Sequence, residues 1–238
     1  MPPRPTSLDG REARSVATRE RLLASATRLF GARGFDGVST RELADAAGVN
    51  AALITYHFGT KEGLYLAVAE AIGERGRALF EPLLAAGPVA ARSPRVAAEQ
   101  LREMLRGLSR GMLALTRDEG EVWAFIVREQ THPSPAFDAL FGRYIRPVHE
   151  RLAALVGAVT GRQPTSAAVI VDAHALVGMA LGFVVAREAL LRRAGWPQYT
   201  DERVTQISNQ VADLALGALG TPARPASRRS AARPTKRP

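Results

Sequence analysis

The sequence predicts an all-α protein in which a small three-helix unit at the N-terminus is followed by a larger helical unit. Apolar residues recur at helical spacing, as at Leu22, Ala26 and Phe30, which fall at i, i+4 and i+8. No segment beyond residue 62 shows a convincing strand pattern. Turn-forming clusters such as Gly87-Pro88 divide the remaining chain into pieces of helix length.

Composition places the chain among globular proteins with a sizeable core. It has 238 residues, of which 46% are hydrophobic. It has no cysteine, which excludes disulfides and thiolate metal sites, and its four histidines are too scattered to predict a metal centre. We expect neither a cofactor nor a metal. No apolar run follows Met1, so the sequence predicts a cytoplasmic protein without a signal peptide.

The net charge of +9 is distributed unevenly along the chain. Residues 1–61 hold nine basic and six acidic groups, and residues 62–220 are neutral. Residues 221–238 add six basic groups and no acid. A basic N-terminal region beside a neutral centre suits a protein that turns one end toward a polyanion.

Helix start and stop signals predict where each helix lies. Gly34 stands where a left-handed cap would end the first helix, and Phe35 is expected to fold back onto Phe30. Pro147 is expected to kink or split the helix that contains it. The expected helices span about 17–33, 39–48, 50–57, 60–86, 94–116, 119–131, 135–160, 165–194 and 201–219.

Residues 39–58 give the strongest local signal. Ser39-Thr-Arg-Glu42 is a capping box, and the short helix that it opens ends at Gly48. Asn50 is a second N-cap, and Thr60 caps a longer helix that follows. The apolar residues expected to pack inward are Leu43, Ala47, Val49, Ile54 and Phe58. Two short capped helices joined by a tight glycine turn are typical of a helix-turn-helix that places its second helix in the DNA major groove.

This region resembles the tetracycline-repressor (TetR) family of transcription regulators. The matching residues are Phe30, Gly34-Phe35, Ser39-Thr40, Leu43-Ala44, Ala47-Gly48-Val49 and the run Tyr56-His57-Phe58-Gly59-Thr60-Lys61-Glu62-Gly63-Leu64. The resemblance implies that Thr40, Tyr56 and Lys61 bind phosphates, and that Arg41 reaches a phosphate or a guanine edge. It also implies that Asn50, Ala51, Ala52 and Thr55 face the bases. For His57, a contact to the DNA backbone and packing against its aromatic neighbours remain equal alternatives.

Later segments resemble the CecR-like subfamily of these regulators. They are Phe125-Ile126-Val127-Arg128-Glu129 and Arg146-Pro147-Val148-His149-Glu150. The subfamily resemblance implies control of transport or drug-efflux genes.

Aromatic, methionine and histidine side chains in the larger unit are candidates for an apolar effector pocket. Ordinary core packing is the alternative for each of them, and the histidines in particular are more often core residues than ligand contacts. The candidates are Trp123, Phe125, Arg128, Phe137, Phe141, Tyr144, His149, His174, Met179 and Phe183.

Residues 165–194 form the most apolar predicted helix. With the helix at 201–219, it is expected to build a four-helix bundle between two subunits, and Gly178 and Gly182 would let the helices approach closely. A membrane span is the alternative, but charged residues interrupt both ends and no basic flank would set an orientation.

The sequence therefore predicts a non-enzymatic DNA-binding regulator, because no phosphate loop, nucleophile elbow or paired carboxylates stand out. The preferred hypothesis is a dimeric repressor that a small apolar effector releases from a palindromic operator. The alternative is a regulator without a small-molecule ligand, which acts through a protein partner or by organising the nucleoid. The expected organisation is a flexible arm at 1–15, a DNA-binding unit at 16–62, an effector-binding and dimerisation body at 63–219, and a disordered basic tail at 220–238.

Overall fold

A computed structural model describes residues 7–90 and 93–220, and within these ranges the chain forms helices and no strands, as predicted. The helices are α1 (Ser7–Arg33), α2 (Thr40–Ala47), α3 (Ala52–Phe58), α4 (Lys61–Leu84), α5 (Pro94–Asp118), α6 (Gly120–Thr131), α7 (Pro135–Leu140), a π-helical turn (Phe141–Ile145), α8 (Arg146–Thr160), α9 (Ala167–Val185), α10 (Arg187–Ala194) and α11 (Asp201–Ala218).

The first helix is longer than the sequence pattern predicted. It begins at Ser7, so the flexible arm expected at 1–15 is wrong for residues 7–15. Arg11, Glu12, Ala13 and Arg14 in this extension are exposed to water and have good helix propensity. Arg14 Nε also donates a 2.9 Å hydrogen bond to the Gly10 carbonyl one turn earlier. Residues 1–6 and the tail from 221 to 238 lie outside the described residues.

The segment from 135 to 160 is helical throughout, as predicted, but its helix type changes along the way. Helix α7 runs into the π-helical turn, and Pro147 becomes the second residue of α8. The helical hydrogen bonds continue through this turn, since the Arg146 N–H donates to the Phe141 carbonyl five residues earlier, and the shifted pairing accommodates the missing N–H of Pro147. The disruption expected at Pro147 is therefore a π-helical turn directly before it, and not a break in the helix.

The predicted helix at 165–194 is also divided, at Ala186 between α9 and α10. The hydroxyl of Tyr199 donates a 2.9 Å hydrogen bond to the carbonyl of Phe183. In an unbroken helix that carbonyl would accept from the N–H of residue 187, which is the first residue of α10. The tyrosine therefore supplies a partner at the point where the helix breaks.

Three apolar clusters form the core, and the first joins the DNA-binding unit to the body. It brings residues of α1–α4 together with residues of α6 and α7. Helix α6 lies so close to α1 that a side chain at Gly31 would collide with the backbone carbonyl of Glu121. The second and third clusters unite α5 with α8–α11. The DNA-binding unit is therefore packed directly onto α6.

Helix α9 is long and apolar enough to span a membrane by length and composition, with a mean hydropathy of 2.1. A third of this stretch is buried inside the subunit, where α9 packs against α5, α8 and α11. The core helix of a globular protein has the same composition, so this property alone does not distinguish the two environments.

Candidate DNA interface and junction cleft

The capping box at the start of α2 forms as predicted. Ser39 Oγ accepts a 3.2 Å hydrogen bond from the Glu42 N–H, and the Glu42 carboxylate accepts one of 2.8 Å from the Ser39 N–H. These bonds with Ser39, reinforced by Arg33, lower the pKa of Glu42 to about 2. The start of α2 is thereby fixed, and Thr40 and Arg41 are exposed on its first turn.

The turn between α2 and α3 also follows the prediction. Gly48 has a φ of 63°, in the left-handed region that favours glycine. Leu43, Ala44 and Ile54 are buried between the two helices, and Val49 and Phe58 pack against the same cluster. Ala44 is only 2% exposed, and α3 is held against α2 with its other face outward.

The outward face of α3 shows most of the residues predicted to contact DNA. Asn50, Ala51, Ala52, Thr55 and Tyr56 are exposed, and the Tyr56 side chain reaches 76% exposure. The regular helix begins at Ala52, two residues after the predicted cap. Asn50 Oδ1 nevertheless accepts a 2.8 Å hydrogen bond from the Ala52 N–H. Its amide nitrogen is then the group suited to donate to a base or a phosphate.

His57 is half-buried between its aromatic neighbours. Its ring centroid lies 4.9 Å from that of Tyr56 and 6.1 Å from that of Phe58. Packing against aromatic rings, one of the two predicted alternatives, is therefore present in the DNA-free protein.

The N-termini of α2 and α4 meet the start of α3 around a concave surface of about 290 Å³. The N–H groups of a helix N-terminus and the positive end of its dipole favour an anion such as a phosphate. The hydroxyls of Thr40, Thr55 and Thr60 and the ammonium of Lys61 add further hydrogen-bond donors and positive charge to this surface. The residues lining the surface are Thr40, Ala51, Ala52, Ile54, Thr55, Thr60 and Lys61.

The two predicted cationic contacts have different surroundings. The Arg41 side chain is 91% exposed and lies 4.0 Å from Asp45 across one helical turn. Lys61 Nζ lies 4.1 Å from the centre of the Phe35 ring, a cation–π contact that the sequence analysis missed. Arg19 of α1 similarly lies over the Phe58 ring at 5.3 Å, which adds another cation beside α3.

The ten predicted effector residues do not gather around one cavity. Phe125 is fully buried against Tyr65, and Tyr144 stacks on Phe80 with 6.2 Å between ring centroids. Trp123, Met179 and Phe183 pack around the third apolar cluster. The remaining aromatic residues form two pairs, Phe137 with Phe141 at 5.9 Å and His149 with His174 at 5.3 Å.

Arg128 is the one member of that set that lines a cleft between the DNA-binding unit and the body. The cleft has a volume of about 490 Å³ and lies between the end of α1, the start of α4 and the α6–α7 junction. We call it the junction cleft. The sequence motifs contain several of its residues, such as Phe35, Glu62 and Arg128, but they lie on three distant segments, and the motifs by themselves did not predict a cleft. Its lining residues are Arg33, Gly34, Phe35, Asp36, Glu62, Tyr65, Leu66, Arg128, Glu129, His132, Ser134, Pro135 and Ala136.

The two glycines predicted at a dimer interface lie on the surface of α9. Apart from the adjoining residues and backbone of α9, a Cβ built on Gly178 or Gly182 would have no atom of the described chain within 4 Å. Val171 and Val185 lie on the same exposed side and are 65% and 69% exposed. This face of α9 is therefore apolar and has no cover within the described subunit.

Comparison with known families matches most of the chain in two parts. Residues 22–68 match the family "Bacterial regulatory proteins, tetR family". Residues 101–219 match "HTH-type transcriptional dual regulator CecR, C-terminal domain". The chain is 35% identical to the HTH-type transcriptional dual regulator CecR of Shigella flexneri over 207 residues, which cover 84% of this chain and 92% of that protein.

Solved structures show the same fold at lower sequence identity. The TetR-family regulator PfmR from Thermus thermophilus is 20% identical, with a TM-score of 0.55 over 83% of this chain and 97% of its own. AibR, solved with isovaleryl coenzyme A and operator DNA, is 22% identical, with the same TM-score and the same coverage.

Proposed function

Because this chain belongs to the TetR family of bacterial transcription regulators and has the CecR type of C-terminal domain, we propose that it is a homodimeric repressor of a palindromic operator. It is a transcription regulator and not an enzyme. The observation that supports operator binding is the exposed face of α3, which lies beside the N-termini of α2 and α4.

In the proposed complex, α3 enters the major groove. Thr40, Tyr56 and Lys61 bind phosphates, and His57 lies against the DNA backbone. The exposed Asn50 amide nitrogen and Arg41 guanidinium are the groups suited to hydrogen-bond base edges. Ala51, Ala52 and Thr55 offer methyl groups to thymine, so sequence-dependent DNA shape contributes to specificity.

The apolar face of α9 supports the homodimer. Gly178 and Gly182 would allow a second copy to approach closely, and α11 also carries an exposed apolar residue, Leu214. Two copies of α9 and α11 would form a four-helix bundle and remove this surface from water or lipid. The two α3 helices of such a dimer must lie about 34–36 Å apart to enter successive major grooves.

The proposed regulation is release from DNA by a small apolar effector that binds among the helices between 119 and 194. AibR, a relative in fold, has been solved with an acyl coenzyme A and operator DNA together. Transport or efflux genes are the targets that we propose, and operator binding would place the protein in the cytoplasm, at the nucleoid. A ligand that favours one spacing of the two α3 helices changes DNA affinity, and DNA changes ligand affinity by the same factor.

Two experiments test this function. Fragments of the source genome selected by the purified protein should share a palindrome with half-sites one helical turn apart. A compound found by thermal shift should then bind more weakly in calorimetry when operator DNA is present. Selection without an enriched sequence would favour a nucleoid-organising role. Equal compound affinities with and without operator would contradict regulation by that compound.

A further inference from the structure

The junction cleft lies where the DNA-binding unit meets the body, and both parts supply its walls. Phe35, Tyr65 and Leu66 form an apolar side, and Pro135 and Ala136 face it from α7. The ring centroids of Phe35 and Tyr65 lie 5.2 Å apart with their planes nearly perpendicular. A volume of about 490 Å³ falls within the range of small-molecule pockets.

One cation in this cleft has an unmet hydrogen-bonding group. Arg128 Nε is shielded from water, and no described residue accepts a hydrogen bond from it. The guanidinium lies over Gly34, where a Cβ would come within 2.8 Å of Nη1. Gly34 also has a φ of 76°, so glycine at this position both ends α1 and leaves room for Arg128. Because Nε itself is closed to solvent, a ligand in the cleft would reach the guanidinium through its terminal Nη atoms.

The acidic groups of the cleft do not supply that partner. The Glu129 carboxylate accepts hydrogen bonds from the Tyr65 hydroxyl at 2.6 Å and from the Ser134 hydroxyl at 2.9 Å. The Glu62 carboxylate is held by its own backbone N–H and then by the Thr60 hydroxyl at the start of α4, and both lower its pKa. Asp36 is exposed to water at the rim.

The second arginine of the cleft is already paired. Arg33 Nη1 lies 2.8 Å from the Glu42 carboxylate of the capping box. The chemistry that complements the cleft is therefore an anion for Arg128 next to an apolar group for the Phe35 and Tyr65 side.

We propose that the junction cleft binds a small carboxylate-bearing molecule with a flat apolar body. The carboxylate pairs with the Arg128 guanidinium, whose planar fork matches a carboxylate in two parallel hydrogen bonds. The apolar body packs against Phe35, Tyr65 and Leu66. This position is separate from the core-packed aromatic residues of the body.

The regulatory consequence rests on the proposed repressor function. Phe35 forms one wall of the cleft, and the same ring lies under Lys61 Nζ at 4.1 Å. Lys61 is a proposed phosphate contact. A ligand that shifts Phe35 therefore changes the position of Lys61 directly, and operator affinity falls without any motion of the distant body helices.

Calorimetry with 2-naphthoate tests the site, with 2-naphthamide as the neutral analogue of the same shape. Wild-type protein without DNA should bind one naphthoate per subunit and should bind naphthamide about tenfold or more weakly. Arg128→Met should weaken naphthoate binding by about tenfold or more and leave naphthamide binding unchanged. Leu66→Trp, which fills the cleft and keeps the charge, should weaken both. Arg192→Met removes a cation from exposed α10 and is the matched control.

The outcomes separate the site from the repressor function. Absence of naphthoate binding at millimolar concentration, equal affinity for both probes, or normal naphthoate binding by Arg128→Met would overturn the site. Tighter binding of 2-naphthylmethylammonium would also overturn it, since the acidic side chains of the cleft, and not Arg128, would then determine the charge of the ligand. Naphthoate should weaken operator binding by wild type and not by Arg128→Met. Naphthoate binding with unchanged operator affinity would overturn only the regulatory role. If the protein bound no operator at all, the repressor function would be contradicted, but the naphthoate titration would still test the binding site.

Discussion

The hydroxyl of Tyr65 on α4 donates a 2.6 Å hydrogen bond to the carboxylate of Glu129 on α6, although 64 positions separate them in sequence. Glu129 is only 1% exposed. Burial, followed by the bond to Glu129, raises the pKa of the Tyr65 hydroxyl, which therefore remains protonated and a donor at neutral pH. This bond joins the helix that follows the DNA-binding unit to the helix that lies on α1.

Removing this hydroxyl should destabilise the protein. Tyr65→Phe leaves the buried Glu129 carboxylate without one of its donors, which costs about 1–3 kcal/mol in the free energy of unfolding. Urea denaturation followed by circular dichroism measures the loss. Tyr56→Phe, which removes a hydroxyl from an exposed tyrosine, is the control and should leave the unfolding free energy unchanged. Equal midpoints for Tyr65→Phe and wild type would show that the bond is unimportant.

The two cations of the DNA interface should differ in their effect on stability. Arg41→Ala and Lys61→Ala should each weaken operator binding. Lys61→Ala, which removes a proposed phosphate contact, should also reduce the slope of log affinity against log salt concentration by about one. Arg41→Ala should leave the melting temperature unchanged, because the side chain is almost fully exposed. Lys61→Ala also removes the contact with Phe35 and should cost about 0.5–1 kcal/mol of stability.

Titrations of operator DNA at several salt concentrations measure both slopes. Arg192→Ala, on α10, is the control for loss of a positive charge and should bind like wild type. If the salt dependence of operator affinity is the same for Lys61→Ala and wild type, Lys61 does not contact a phosphate.

The glycine face of α9 gives a prediction about assembly. Gly178→Leu and Gly182→Leu meet open space within the described subunit, so each variant should fold. In the proposed dimer the added side chain prevents close approach of the helices, and overpacking of this kind costs about 1–3 kcal/mol. Light scattering should therefore show a shift toward monomer.

A matched control is Gly142→Leu, because Gly142 also has open space around it but lies in the π-helical turn. It should remain a dimer. If both α9 variants dimerise with the same affinity as the wild type, the dimer interface does not include this face of α9.

The pair of histidines between α8 and α9 predicts a pH dependence of stability. Burial, followed by repulsion from His174, lowers the pKa of His149 below its usual value of about 6.5. The unfolded chain then takes up a proton at a higher pH than the folded protein does. The contribution of His149 to stability is complete above about pH 6.5 and is lost as the pH falls toward its folded pKa.

Melting temperatures across this pH range test the prediction. The wild type should lose more stability on acidification than His149→Gln does. His132→Gln, which changes an exposed histidine, should follow the wild type. Identical pH profiles for wild type and His149→Gln would show that His149 does not contribute.

The DNA-binding unit could be predicted because its signals are local. The Ser39–Glu42 capping box, the left-handed turn at Gly48 and the cap at Thr60 each depend on residues within about four positions. The short range of these hydrogen bonds makes them visible in a sequence. The all-α class follows for the same reason, since helical periodicity is also a local pattern.

The sequence by itself thus determined the fold class, the helix-turn-helix and the outward face of α3. Only the tertiary structure decided that Arg128 lines a cleft, that Phe125 is core, and that Lys61 rests on Phe35. It also decided the break before α10, where Tyr199 reaches back to the Phe183 carbonyl. These features depend on packing between segments far apart in the chain, and an amphipathic pattern shows which face is buried but not which partner covers it.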